Sequence, residues 1–138
     1  MYKLVKNEEK FWEFIRYVRF HPSNLDGFLQ TTPVTTAQQK TYMQEHNDHY
    51  WICLDGDQPV GFIGSVNNDI RLATDPNRKN AGIGKFMLNE FMKINPFEKA
   101  KVLRTNGPSL RLFLKNGFVC THTDGDLLYL QKQHHGTG

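Results

Sequence analysis

The stretch Pro76-Asn77-Arg78-Lys79-Asn80-Ala81-Gly82-Ile83-Gly84-Lys85-Phe86-Met87-Leu88 decides how the rest of this chain is read. It follows a β-rich run that ends at Asp75. It leads into apolar residues at helical spacing, namely Ile83, Met87, Phe91 and Ile94, with Leu88 and Met92 beside them. A strand, a glycine-bearing turn and a helix, expected from about Gly84 to Ile94, therefore stand in succession. The glycines fall at the first helical turn, where backbone N–H groups lack helical acceptors and the dipole favours an anion. Lys79 and Lys85 add positive charge. A Walker loop, G-x-x-x-x-G-K-[ST], would need Gly at 79 and Ser or Thr after Lys85, where the chain has Lys79 and Phe86. The dinucleotide fingerprint G-x-G-x-x-G is incomplete as well. The bland alternative is an αβ turn that uses glycine only for close packing.

Upstream, Tyr2 to Lys6 reads as a short strand. Asn7 is expected to cap a helix that carries Glu8 and Glu9 in its first turn and Phe11, Phe14, Ile15 and Val18 on its apolar face. His21 to Pro33 is loop-like. Thr35 with Gln38 fits a capping box that opens a second helix. Tyr50 to Leu54, Val60 to Val66 and Asp69 to Asp75 read as three strands of an antiparallel meander, turning at Asp55-Gly56-Asp57 and Asn67-Asn68. Downstream come a strand from Lys101 to Thr105, a short helix from Ser109 to Lys115, and a hairpin of Phe118 to Thr123 with Leu127 to Gln131. The tail HHGTG is expected to be disordered from about residue 133. The order β-α-α-β-β-β-α-β-α-β-β places an antiparallel half before a strand-helix-strand unit, whose strands are normally parallel. That predicts an α/β (mixed α+β) fold with helices on the faces of a mixed sheet.

The 138 residues suit one domain, and no apolar run approaches the roughly 20 residues of a membrane span. Cys53 and Cys120 form no CxxC pair, so neither a disulfide scaffold nor a metal site is expected, and a reduced, cytoplasmic protein is the default. The net charge of +3 is uneven, because residues 78–115 hold nine Lys/Arg against two acids. A solvated face, a nucleic-acid patch and a seat for a phosphorylated small molecule would each give such an excess.

A second signature runs from Asn106 to Phe118, NGPSLRLFLKNGF. Together with the glycine loop it resembles the GNAT (Gcn5-related N-acetyltransferase) superfamily. The acyl-CoA motif of that family, [Q/R]-x-x-G-x-[G/A], is matched by Lys79-Asn80-Ala81-Gly82-Ile83-Gly84 with Lys in first place. Its N-x-x-[SA]-x-x-L-[YF]-x-x-x-G-F pattern is matched from Asn106 to Phe118, and the element order agrees from Tyr2 to about Gln131. The resemblance implies a single acyl-CoA N-acyltransferase domain over residues 1–138. It implies a central mixed sheet of six to seven strands flanked by about four helices, with acetyl-CoA as cosubstrate. Backbone groups of Leu72, Ala73 and Thr74 would then bond the pantetheine arm, and residues Lys79, Asn80, Ala81, Gly82, Ile83, Gly84 and Lys85 would hold the pyrophosphate. Asn106 would reach the pantetheine, its alternative being a turn-forming Asn before Gly-Pro. Ser109 and Phe113 follow as further cofactor contacts.

The implied reaction is direct attack of an amine on the thioester. A backbone N–H at Leu72 or Ala73 would serve the oxyanion. Asp69 is the carboxylate best placed to take the proton, unless it is only a turn residue. Many members carry Tyr where this chain has Phe113, and Phe cannot protonate the leaving thiolate. Tyr129 is taken as the catalytic acid, with His122, Cys120 and solvent as alternatives. His46 and His49 could line the acceptor pocket. The acceptor is expected to be a small-molecule amine, such as an amino sugar or sugar nucleotide. A macromolecular amine and a catalytically silent acyl-CoA-binding module are the other readings. No membrane or nucleic-acid partner is expected, and a homodimer is left open.

Overall fold

A computed structural model of the chain describes residues 1–22, 24, 34–78 and 81–133. Most of the expected loop up to Pro33, the positions Lys79 and Asn80, and the tail 134–138 lie outside the described residues. The described strands are β1 (Tyr2–Lys6), β2 (Tyr50–Asp55), β3 (Gln58–Val66), β4 (Asp69–Thr74), β5 (Lys99–Leu103), β6 (Phe118–Asp124) and β7 (Leu127–Lys132). The helices are α1 (Trp12–Arg19), α2 (Thr36–His46), α3 (Ile83–Ile94) and α4 (Gly107–Lys115). Among the described residues no helix is long and apolar enough to cross a membrane.

Local chemistry sets several boundaries. The Gln38 N–H donates to Thr35 Oγ1 at 3.1 Å and the Thr35 N–H to Gln38 Oε1 at 2.8 Å, the expected capping box at the start of α2. Caps of this kind are worth about 1 kcal/mol. At β3–β4, Asn67 and Asn68 take φ of 56° and 61°, the left-handed pair that a two-residue hairpin turn needs. Asn7 departs from expectation. It caps nothing: its N–H donates to Tyr50 O at 3.1 Å, its carbonyl accepts from Asn47 Nδ2 at 3.1 Å, and its side chain is buried against Met43. Tertiary partners claimed it, and the chain enters α1 through a 3-10 turn at Glu9–Phe11. Ile94, expected on the apolar face of α3, is 47% exposed.

The sheet also differs from a single mixed sheet. β1-β2-β3-β4 form one antiparallel sheet and β5-β7-β6 another, with no backbone ladder between β4 and β5. The fifth strand begins two residues earlier than its sequence suggests, because Lys99 and Ala100 pair with Gln131 and Leu130 of β7, and Asn68 Oδ1 accepts the Lys99 N–H at 3.1 Å.

Two apolar layers flank the first sheet. Ile15, Val18 and Met43 of α1 and α2 pack on Tyr50, Ile52, Phe62 and Ala73. On the other side, Ile83, Met87, Leu88 and Phe91 of α3 and Phe113 of α4 pack on Ile63 and Ile70, and on Val102, Leu128 and Leu130 of the second sheet. The helices α3 and α4 therefore span both sheets and hold them together where the strands part.

Candidate active site

β4 spends only half of its backbone on β3. The Asp75 N–H donates to Val60 O at 2.8 Å, so by the alternation of an antiparallel ladder Ala73, Arg71 and Asp69 also turn their amide groups toward β3. Ile70, Leu72 and Thr74 turn theirs the other way, toward β5. At the start of the two strands side chains close the space between them. The Lys101 N–H donates to Asp69 Oδ1 at 3.2 Å, one step beyond the Asn68–Lys99 bond. Farther along, no backbone ladder joins β4 to β5, and the Leu72 amide turns toward this gap between the two ladders. The Thr74 carbonyl accepts from Asn24 Nδ2 at 3.1 Å, which ties the end of β4 to the chain following α1.

Beside Leu72 stands the N-terminus of α3. The first ladder bond of this helix runs from the Phe86 N–H to Gly82 O at 3.1 Å, so the N–H groups of Ile83, Gly84 and Lys85 have no intrahelical acceptor. Gly82 has a φ of 76°, and a Cβ there would meet nothing within 4 Å. Its backbone conformation demands glycine, and the side that a methyl group would occupy is open to a ligand. Gly84 answers to packing: a Cβ there would stand 3.2 Å from Leu112 Cδ2 and 3.8 Å from Leu72 Cδ1. The turn is pinned on both flanks. The Tyr2 hydroxyl donates to Ala81 O at 2.9 Å with its ring 5.7 Å from that of Phe86, and Arg78 Nη1 donates to Asp55 Oδ2 at 3.0 Å. N–H groups without helical acceptors, the neighbouring Lys85 and the open side of Gly82 suit a diphosphate.

Asn106 opens α4. Its Oδ1 accepts the Ser109 N–H at 3.3 Å, and Pro108 stands in the first turn. Phe113 is buried with its ring edge-on to Phe118, centroids 4.9 Å apart.

The face of β4 away from α3 and α4 carries a polar group. Tyr50, Gly64 and Arg71 form one row across β2, β3 and β4. A Cβ on Gly64 would collide with the Tyr50 ring and the His49 carbonyl, so only glycine lets that ring lie against β3. The Tyr50 and Tyr42 hydroxyls are 2.7 Å apart, and the Tyr42 ring is 4.5 Å from that of His46. Burial and the Tyr42 hydroxyl raise the Tyr50 pKa. Burial works against charge on Arg71, but the oxygens of Tyr50, Tyr42 and Asp69 outweigh it and hold the guanidinium charged. Asp69 Oδ2 lies 3.6 Å from Arg71 Nε, and burial pushes the Asp69 carboxyl up against the pull of Arg71 and the Lys101 N–H. In the second sheet Leu128 and Leu130 point into the core, so Tyr129 between them stands on the opposite face. Its ring is 5.1 Å from His122, and Lys101 Nζ lies 5.8 Å from its centre.

A sequence model described as an acetyltransferase (GNAT) domain matches residues 46–120, more than half of the chain. The chain belongs to the GNAT acetyltransferase family. Curated relatives include the acetyltransferase PseH from two strains of Campylobacter jejuni. They are 25% and 28% identical over 134 residues, covering 86% and 85% of this chain and 83% of each relative. Among solved structures, yncA from Salmonella typhimurium, a putative acetyltransferase with acetyl-CoA, superposes with a TM-score of 0.80 at 13% identity over 99% of this chain and 96% of that one. Spermidine N-acetyltransferase from Vibrio cholerae, in complex with CoA and spermine, gives 0.75 at 13% identity over 94% and 93%. The matches to the solved structures bear on the fold; the family match makes this an acetyl-CoA-dependent N-acetyltransferase of the GNAT type.

Within the GNAT frame the expected site residues separate. Leu72 turns its amide away from β3 and Gly82, Ile83, Gly84 and Lys85 form the start of α3 beside it, whereas Lys79 and Asn80 lie outside the described residues. Ala73 needs correction, because its amide groups face β3 and its side chain is in the core. Phe113 packs as a core residue. The carboxylate of Asp69 is occupied by the clasp between the strands. The Tyr2 contact with Ala81 and the row of Tyr42, Tyr50 and Arg71 beside β4 are not among the sequence expectations. A glycine in a buried strand, Gly64, was the one sequence signal for the close approach of Tyr50.

Proposed function

We propose that this GNAT enzyme transfers the acetyl group to the primary amine of a small molecule, an amino sugar or sugar nucleotide. The observation that supports the reading is the stretch of β4 at Leu72 and Thr74, whose outward amide groups meet no ladder on β5, beside the unpaired N–H groups that open α3. Acetyl-CoA supplies a thioester carbonyl open to attack by an unprotonated amine.

The chain's own groups then divide the work. The outward carbonyl of Leu72 and the N–H of Thr74 pair with an extended amide chain as an added strand would. Ile83, Gly84 and Lys85 hold phosphates through backbone N–H groups, with Ala81 and Gly82 shaping the approach and Lys79 and Asn80 adding donors. Asn106, its Oδ1 already a cap, offers Nδ2 to an amide carbonyl, and Ser109 stands beside it. The Leu72 N–H donates to the oxygen that gains charge; a preorganised donor of this kind contributes about 2.7–4 kcal/mol. Tyr129 gives its hydroxyl proton to the leaving thiolate and regains, through solvent, the proton that the amine loses on acetylation. Asp69 keeps the start of the gap closed.

The test is thiol release from acetyl-CoA with amino sugars, sugar nucleotides bearing a free amine, and polyamines, with the N-acetyl product identified by mass. Equal thiol and N-acetyl product with an amino sugar or its nucleotide supports the reading. Turnover confined to polyamines, or to protein amines, overturns this choice of acceptor.

A further inference from the structure

An extra residue in β6 decides what faces Tyr129. Cys120 pairs with Leu130, but the next residue of β7, Tyr129, pairs with His122 and not with Thr121. In a regular ladder Thr121 would oppose Tyr129, and His122 would oppose Leu128, whose side chain is in the core. The bulge at Thr121 therefore turns His122 onto the face that carries Tyr129, and re-aiming a side chain is a recurrent use of bulges. Two side chains brace it: the Thr121 hydroxyl donates to Tyr129 O at 3.4 Å, and the Cys120 thiol to His122 O at 3.4 Å.

Tyr129 thereby stands in the middle of a row, with Lys101 of β5 on one side and His122 of β6 on the other. Ala100 and Val102, on either side of Lys101, lie in the core, which puts Lys101 on the same face as Tyr129. The His122 ring centre is 5.1 Å from that of Tyr129 with 51° between the planes, and Lys101 Nζ is 5.8 Å from the Tyr129 ring centre. Both are attractive contacts at such distances. Among the described residues, the apolar layer of α1 and α2 packs on the first sheet, and that of α3 and α4 on the face opposite this row. The Tyr129 ring is therefore placed by its two cross-strand neighbours. Lys101 is itself fixed, because its N–H is the one that Asp69 Oδ1 accepts at 3.2 Å. The row is thus registered against β4, the strand that carries Leu72.

We propose that His122 is a positioning residue for the reaction: its ring, delivered by the bulge at Thr121, holds the Tyr129 phenol against Lys101 and so aims the hydroxyl at the leaving thiolate. The proposal rests on the reading of Tyr129 as the proton donor and deepens it. His122 acts through its flat ring, and its nitrogens take no part in the proton transfer.

The experiment compares His122→Ala with His122→Phe, which keeps a flat ring without an ionisable nitrogen, using acetyl-CoA and glucosamine. An increase in Tm on adding acetyl-CoA shows that each variant folds. His122→Ala should lower kcat by about tenfold or more, with KM for acetyl-CoA within about twofold of the wild type. The alkaline limb of its pH–rate profile should remain, because the acid is still present but misaimed. His122→Phe should recover kcat to within about threefold of the wild type. Wild-type kcat in His122→Ala, a loss carried by KM alone, or a His122→Phe enzyme as slow as His122→Ala overturns the proposal. The last outcome, with the alkaline limb gone, makes His122 the acid itself. Failure of the Tyr129 reading shows separately, as an unaltered limb in Tyr129→Phe. In that case, or without turnover of glucosamine, the hold on the ring is read from the three-bond couplings about χ1 of Tyr129 in isotope-labelled protein. One rotamer in the wild type and in His122→Phe, with averaging in His122→Ala, supports it. Averaging already in the wild type, or a single rotamer in His122→Ala, overturns it.

Discussion

The Asp69 carboxylate accepts the Lys101 backbone N–H at 3.2 Å, and this bond joins β4 to β5 where a parallel ladder would otherwise run. A side-chain clasp reaches farther than a backbone pair. It fixes the origin of the two strands and lets them diverge beyond it. The strands part because Asn68 and Asp69 hold β5 through side chains, while the amide groups that Leu72 and Thr74 turn away from β3 meet no ladder on β5.

The clasp predicts how Asp69 variants behave. Asp69→Asn retains an oxygen for the Lys101 N–H and should keep kcat within about tenfold of the wild type. Asp69→Ala leaves that N–H without its acceptor and Arg71 without its ion pair, at a cost of roughly 1–3 kcal/mol in urea midpoint analysis, with a raised KM for acetyl-CoA. A loss of about 10²–10⁴ in kcat for Asp69→Asn, with the acid limb of the pH profile removed, would instead make Asp69 the general base.

The two glycines at α3 should fail differently. Gly82→Ala meets no neighbour, so its cost is the left-handed backbone, about 1–2 kcal/mol, together with weaker acetyl-CoA binding from the obstructed approach. Gly84→Val pushes on Leu112 and Leu72 and should destabilise the fold itself by about 1–3 kcal/mol. Urea midpoints with and without acetyl-CoA separate the effects. Unchanged ligand affinity in Gly82→Ala would remove the phosphates from this turn.

Tyr129 and Phe113 can be told apart by pH–rate profiles. Phe113 is 2% exposed and stacked edge-on against Phe118, so Phe113→Tyr buries a hydroxyl and should cost stability without creating a new alkaline limb. Tyr129→Phe should lower kcat by about 10²–10⁴ and remove the alkaline limb. An unaltered limb in Tyr129→Phe would assign thiolate protonation to solvent.

The cysteines should react in sequence. Cys120 is exposed and should take a thiol reagent at once, while Cys53 is buried and should react only on unfolding. Burial, assisted by Asp55, pushes the Cys53 thiol from 9.0 up to about 11. The fold therefore holds this proton more tightly than the unfolded chain does. That contribution is complete below the unfolded value and is lost as pH rises through the folded one, a swing of roughly 2–3 kcal/mol. Urea midpoints at about pH 8 and about pH 10.5 should fall less in Cys53→Ala than in the wild type. An equal fall would place the alkaline loss on other groups.

Taken alone, the sequence determined what depends on neighbours a few residues apart. Thr35 and Gln38 announced their capping box, and Asn67-Asn68 their turn. The two motifs identified the family, because the glycine motif that opens α3 and the helix after Asn106 are local devices. Tertiary structure alone decided what depends on strand register. Alternation places Leu72 and Ala73 on opposite edges of β4, but only the pairing with β3 says which one faces the gap. Asp69 reads equally as a base or a turn residue until a strand 32 positions away presents its N–H. Tyr50, Gly64 and Arg71 share a row because two hairpins set their registers, and Asn7 left its expected cap because Tyr50 and Asn47 offered buried partners. Backbone propensity and capping act over one helical turn, whereas a carboxylate's use is set by whichever donor the folded chain brings within about 3 Å.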